Sequence, residues 1–95
     1  MRKSYSTLKQ YNAAIADYNQ AIALKPQYGL AYCARGNAKA ELKQYKVAIV
    51  DYNKAIELHP RYTMAYYLRA CANWKLSQKE QAKEDFMTVV HASKQ

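Results

Sequence analysis

Residues 43–66, KQYKVAIVDYNKAIELHPRYTMAY, are a near copy of residues 9–32, KQYNAAIADYNQAIALKPQYGLAY. Fifteen of the 24 aligned positions are identical, at a constant offset of 34 residues. A fixed period of this length restricts the chain to one kind of object. A single supersecondary unit recurs, and each copy buries its apolar face only by stacking on the next.

The unit is helical. Tyr11, Ala14, Ile15, Tyr18, Ala21, Ile22 and Leu24 fall at steps of mostly three and four, which keeps them on one helix face. Pro26 follows, and the residue before a proline is driven out of the helical region. The same pattern returns from Tyr45 to Leu58, with Pro60 after it. Further helices are expected over residues 28–42, 62–76 and 78–93. Connections of two to four residues force neighbouring helices antiparallel. The expected architecture is all-α, a row of helical hairpins.

Small residues recur where two backbones must approach: Ala14, Ala48 and Ala82, then Ala21 and Ala55. Gly36 and Ala70 hold one equivalent place on the other helix of the unit. Tyr18, Tyr52 and Phe86 fill the space between. Alternating small and large residues interlock across a helix pair. With only two glycines, two prolines and 51% apolar residues, the chain has the composition of a folded helical domain.

This pattern resembles the tetratricopeptide repeat. The middle unit carries the resemblance in Tyr32, Gly36, Leu42, Tyr45, Ala48, Tyr52, Ala55 and Pro60. The first unit carries it in Leu8, Tyr11, Ala14, Tyr18, Ala21 and Pro26, the third in Tyr66, Ala70, Leu76, Ala82 and Phe86. About two and a half repeats are expected: residues 1–28 as a first repeat with its first helix cut short, 29–62 as a second, and 63–95 as a degenerate third. Departures from the family pattern are Val89 in place of alanine, Arg35 and Arg69 in place of leucine, and Lys9, Lys43 and Ser77 at the hairpin turn where glycine is usual.

The resemblance implies a right-handed superhelix whose first helices line a concave groove. It implies a non-catalytic scaffold that holds a peptide or helix of a partner protein. It assigns to the groove Leu30, Cys33 and Asn37 from one helix, and Met64, Tyr67, Leu68, Cys71, Trp74 and Lys75 from the next. For a surface open to water the set is apolar, and exposed apolar patches mark interaction sites. The alternative is that a second copy of the chain, or another helix, covers it. Chaperone-binding members of the family clamp a C-terminal carboxylate with Lys, Asn and Arg on successive first helices. Of the corresponding places here only Asn37 matches, so the resemblance does not extend to that clamp.

Arg35 and Arg69 are 34 residues apart, and Asp17, Asp51 and Asp85 repeat at the same interval. Arginine on one helix and aspartate on its neighbour predict a ladder of bidentate ion pairs along the stack. The net charge of +8 raises a rival reading, an acidic surface or nucleic acid held by Lys9, Lys43, Lys46, Lys75 and Lys79 near the hairpin turns. No nucleic-acid-binding motif accompanies them, and most of the ten tyrosines recur at core positions.

Catalysis has little support. His59 and His91 are isolated, and Glu80, Glu84 and Asp85 share a helix face with Lys79 and Lys83. No glycine-rich phosphate loop or metal-ligand spacing occurs, so no cofactor or metal is expected. Cys33 and Cys71 are too few for a disulfide framework, which points to a reducing, cytoplasmic setting. No stretch approaches the length of apolar residues that spans a membrane.

Overall fold

A computed structural model describes residues 3–93, with side-chain environments for 9–92. The described residues form five helices: α1 (Lys3–Leu24), α2 (Gly29–Glu41), α3 (Tyr45–Leu58), α4 (Thr63–Lys75) and α5 (Lys79–Ser93). They pack as stacked hairpins. Helix α2 packs on α3, α4 on α5, α3 on α4, and α1 on α2.

The turns inside the hairpins explain how a sequence without glycine reverses direction. After α2, the Lys43 N–H donates to the Ala40 carbonyl and the Gln44 N–H to the Lys39 carbonyl, at 2.8 and 2.9 Å. After α4, Ser77 donates to Trp74 and Gln78 to Asn73, at 3.0 and 2.8 Å. This is the Schellman arrangement, which satisfies the last carbonyls of each helix by placing one residue in the left-handed region. Lys43 (φ 66°) and Ser77 (φ 64°) occupy that place. Each costs about 1–2 kcal/mol relative to glycine, which the packing of the two joined helices offsets.

The first unit departs from expectation. Leu8-Lys9-Gln10 matches Leu42-Lys43-Gln44 and Leu76-Ser77-Gln78 in position, yet α1 runs through it unbroken. Lys9 accordingly lies within a helix and not at a turn. The expected burial of Tyr5 and Leu8 falls outside the described side chains.

The core lies among α2, α3 and α4. Ala48, Tyr52, Ala55 and Ala65 are fully buried, with Cys33 and Ala72 close behind; Tyr32, Tyr45, Ile49, Ile56, Tyr62 and Leu68 pack around them. Burying a ring such as Tyr52 contributes about 2–3 kcal/mol. The close approach needs Gly36: a Cβ there would sit 2.7 Å from Tyr52 Cε1 and 3.0 Å from the Ala48 carbonyl oxygen. The repeats join through the proline turns, where the Tyr66 hydroxyl donates to the Pro60 carbonyl at 2.9 Å.

The arginine–aspartate ladder is present. Arg35 Nε and Nη2 donate to the two carboxylate oxygens of Asp51 at 2.9 and 2.7 Å. Arg69 repeats the geometry on Asp85 at 2.8 and 2.7 Å. Each arginine also reaches back one unit, donating from Nη1 to Asn19 or Asn53 at 2.7 and 2.8 Å. The guanidinium groups lie 5.5 Å from the ring centres of Tyr32 and Tyr66. Held by Asp51 and Asp85, both guanidinium groups have their pKa raised despite burial. The arginines are structural joints between hairpins. Asn19 and Asn53 also recur at 34, but nothing in the sequence shows that one arginine bridges two units.

Candidate functional site

Among the described side chains, α4 carries three of the exposed large apolar residues. Met64, Tyr67 and Trp74 are each about half exposed, although their neighbours Ala65, Ala70 and Ala72 are buried. A helix seals one face against α3 and α5 and leaves the other to water. Residues 64, 67, 71, 74 and 75 share that second face by their spacing of three and four.

Seven of the nine expected groove residues line three hollows beside α4. Asn37 from α2 and Leu68, Cys71 and Lys75 from α4 line one cleft of about 380 Å³, together with Glu41, Lys43 and Tyr45. Met64 and Tyr67 line a second hollow with Val89 and Ala92 of α5. Cys71, Trp74 and Lys75 line a third with Phe86. The Tyr67 and Phe86 rings meet edge to face, centroids 6.1 Å apart. Leu30 is exposed near the start of α2 and lines none of these hollows.

Cys33 corrects the sequence reading. It is 3% exposed and belongs to the core cluster. Burial raises its thiol pKa, and a hydrogen bond with the Tyr62 side chain pulls the other way. The α3–α4 connection brings Tyr62 onto it, so the place that Tyr67 leaves open one repeat later is closed here.

Sequence reasoning missed the contribution of α5. Phe86 and Val89 are the equivalents of Tyr52 and Ala55, which are buried beneath α4. Both of the α5 residues remain only partly covered. The 34-residue offset contained that signal, because it aligns Phe86 and Val89 with Tyr52 and Ala55.

Charge gathers at the hairpin-turn end of the cleft. Lys43 and Lys75 line it with Glu41, and the Lys79 ammonium stands 5.1 Å from the Trp74 ring centre. A cation over a half-exposed indole contributes about 0.5–1 kcal/mol. One polar group in the cleft wall has no protein partner: the buried Tyr52 hydroxyl, whose pKa is raised mainly by desolvation. A separate polar cleft of about 350 Å³ runs between α3 and α5. Its Arg69 and Asp85 already satisfy each other.

Antiparallel hairpins stacked at a period of 34 residues, with an apolar helix face left open, define a helical-repeat interaction module. The comparisons make the class specific. A family model described as TPR repeat matches residues 3–43 and again 36–77, and one described as Tetratricopeptide repeat matches 65–95. The chain belongs to the tetratricopeptide repeat family.

Among solved structures, the first TPR of Spaghetti (RPAP3) bound to the HSP90 peptide SRMEEVD is 32% identical; the match covers 93% of this chain and 70% of that one, at a TM-score of 0.87. The Arabidopsis OM64 TPR domain is 31% identical over 92% of this chain and 72% of its own, also at 0.87. The TPR2B domain of yeast Sti1 in its pHsp70 complex is 30% identical over 93% and 70%, at 0.85. No curated protein matches the chain. Among the described residues, no helix is long and apolar enough to cross a membrane.

Proposed function

We propose that this domain is a non-catalytic scaffold that takes a peptide or helix of a partner protein against the open face of α4. The observation that carries the reading is the row of Met64, Tyr67 and Trp74, each about half exposed and backed by Phe86. Met64, Tyr67, Leu68 and Trp74 contribute up to roughly 1.5–3 kcal/mol each if fully covered. Ordering and association costs remove much of that, leaving affinity at about micromolar or weaker. Lys43, Lys75 and Lys79 favour a partner with acidic residues beside its apolar anchors, and they act mainly on the rate of encounter.

Two relatives are recorded with chaperone partners, an HSP90 peptide and pHsp70. Of the clamp positions expected from such domains, only Asn37 is matched here. The peptide SRMEEVD is therefore expected to bind weakly or not at all, and peptides selected on this domain to carry apolar anchors instead. Trp74 is the sole tryptophan and reports on its own surface. Peptides selected from a displayed library should shift its fluorescence saturably, and Trp74→Ala should abolish their capture. Capture that survives Trp74→Ala but falls steeply with salt would favour the electrostatic reading.

Self-association over the same surface is a second reading. It is favoured by Phe86 and Val89, whose equivalents Tyr52 and Ala55 are sealed by a following helix. Light scattering at two concentrations distinguishes it, since a dimer there would grow with concentration and dissolve in Trp74→Ala.

A further inference from the structure

Three positions change together between the second unit and the third. Lys39, Val47 and Val50 become Asn73, Gln81 and Glu84 at the 34-residue offset. Val47 and Val50 are exposed, so either of those changes alone would be ordinary surface variation. Yet Asn73, Gln81 and Glu84 all line one cleft of about 350 Å³, together with Asp85. A cation is lost at the same place where acceptors are gained.

The second unit shows what belongs there. The Lys39 ammonium lies 3.4 Å from Asp51 Oδ2, with its side chain 17% exposed. Asp51 and Asp85 are otherwise alike, since each accepts the same two bonds from Arg35 or Arg69. Those bonds use one acceptor site on each carboxylate oxygen, and an ionised carboxylate has about four. Asn73 is shorter than lysine and uncharged, so it brings no ammonium to Asp85. Asn73 is itself 5% exposed, and its side-chain amide has no hydrogen-bond partner among the described residues. A polar group that is nine-tenths buried and lines a cleft is satisfied by what enters the cleft.

The charges agree with the geometry. Arg35, Lys39 and Asp51 together carry +1, whereas Arg69, Glu84 and Asp85 carry −1. The cleft is a negative spot on a chain of net charge +8.

We propose that the cleft between α3 and α5 takes the ammonium group of a partner protein's lysine, seated on Asp85 as the Lys39 ammonium is seated on Asp51. Glu84 supplies the second carboxylate, and the Asn73 and Gln81 carbonyl oxygens accept the remaining N–H groups. The lysine's unbranched stem lies along Ile49, the apolar residue of the lining. A free diamine would bring a second positive charge to a basic chain, with no carboxylate left to receive it. The site is separate from the apolar face of α4 and does not depend on what binds there.

The test uses the full chain, labelled with nitrogen-15, and Nα-acetyl-lysine N-methylamide as the probe. Binding is read from the side-chain amide signals of Asn73 and Gln81. They should shift saturably, with a dissociation constant of roughly 1–10 mM for a lone ammonium group. The norleucine analogue, which lacks the ammonium, should leave them unmoved. Glu84→Gln should weaken binding about threefold; Glu84 is exposed, so its substitution keeps the fold. Asn73→Lys supplies the ammonium from within and should abolish binding while raising the urea midpoint. Trp74→Ala should leave the affinity unchanged.

The proposal is overturned by the absence of a saturable shift, by equal binding of the norleucine analogue, or by unchanged affinity in Glu84→Gln. Full binding to a folded Asn73→Lys variant would also overturn it. Binding of 1,4-diaminobutane more than about tenfold tighter than the blocked lysine would assign the cleft to a free amine and overturn the lysine reading. Loss of binding in Trp74→Ala would place the probe on α4 instead.

Discussion

Asp51→Ala tests how much the arginine ladder contributes to the stack. The Asp51 side chain is 4% exposed; it accepts two bonds from Arg35, and the Lys39 ammonium lies 3.4 Å away. Removing it leaves a guanidinium whose side chain is 19% exposed. Breaking a buried pair from one side costs about 3–5 kcal/mol, because the remaining charge is uncompensated. Here Asn19 still accepts one bond and the Tyr32 ring still faces the cation, so the expected loss is smaller, about 2–3 kcal/mol. For a domain of this size each kcal/mol shifts the melting temperature by about 4–8 °C. Far-UV circular dichroism should therefore show a drop of about 10–20 °C. Asp17→Ala is the matched control, since the same residue type sits exposed on α1. It should change stability by less than about 0.5 kcal/mol. The Asp51 effect should persist in 1 M salt, where exposed pairs are screened. Equal effects of the two substitutions, or a difference that salt erases, would refute the assignment of the pair as a buried joint. Replacing Arg35 and Asp51 together by apolar residues should cost less than Asp51→Ala alone.

Tyr52→Phe removes a buried hydroxyl without a protein partner, and Phe86 already stands in the equivalent place. Urea unfolding should show a gain of up to about 1 kcal/mol, and a loss would mean that the hydroxyl is satisfied in solution. Gly36→Ala should destabilise by about 1–3 kcal/mol despite its better helix propensity, because the new Cβ meets a fully buried ring and a carbonyl oxygen. A higher urea midpoint would contradict it. Lys43→Gly should raise stability by about 0.5–1 kcal/mol by relieving the left-handed backbone, with an unchanged or lower midpoint as the contrary result.

The period of 34 made the interior legible and the ends hard to read. Ala48, Tyr52 and Gly36 could be placed in contact from spacing and size alone, since each has an equivalent whose neighbours repeat with it. Arg35 and Asp51 could be paired for the same reason. The hairpin turn at Lys9 was misplaced because the local sequence of a turn is not sufficient for one. Lys43 and Ser77 turn only where two full helices then pack, and that condition is not local. The groove list failed at Cys33 on similar grounds. Residues 33 and 67 are the same position in successive units, yet one lies under Tyr62 and the other faces water. Their difference belongs to what comes next in the stack, and composition does not carry it.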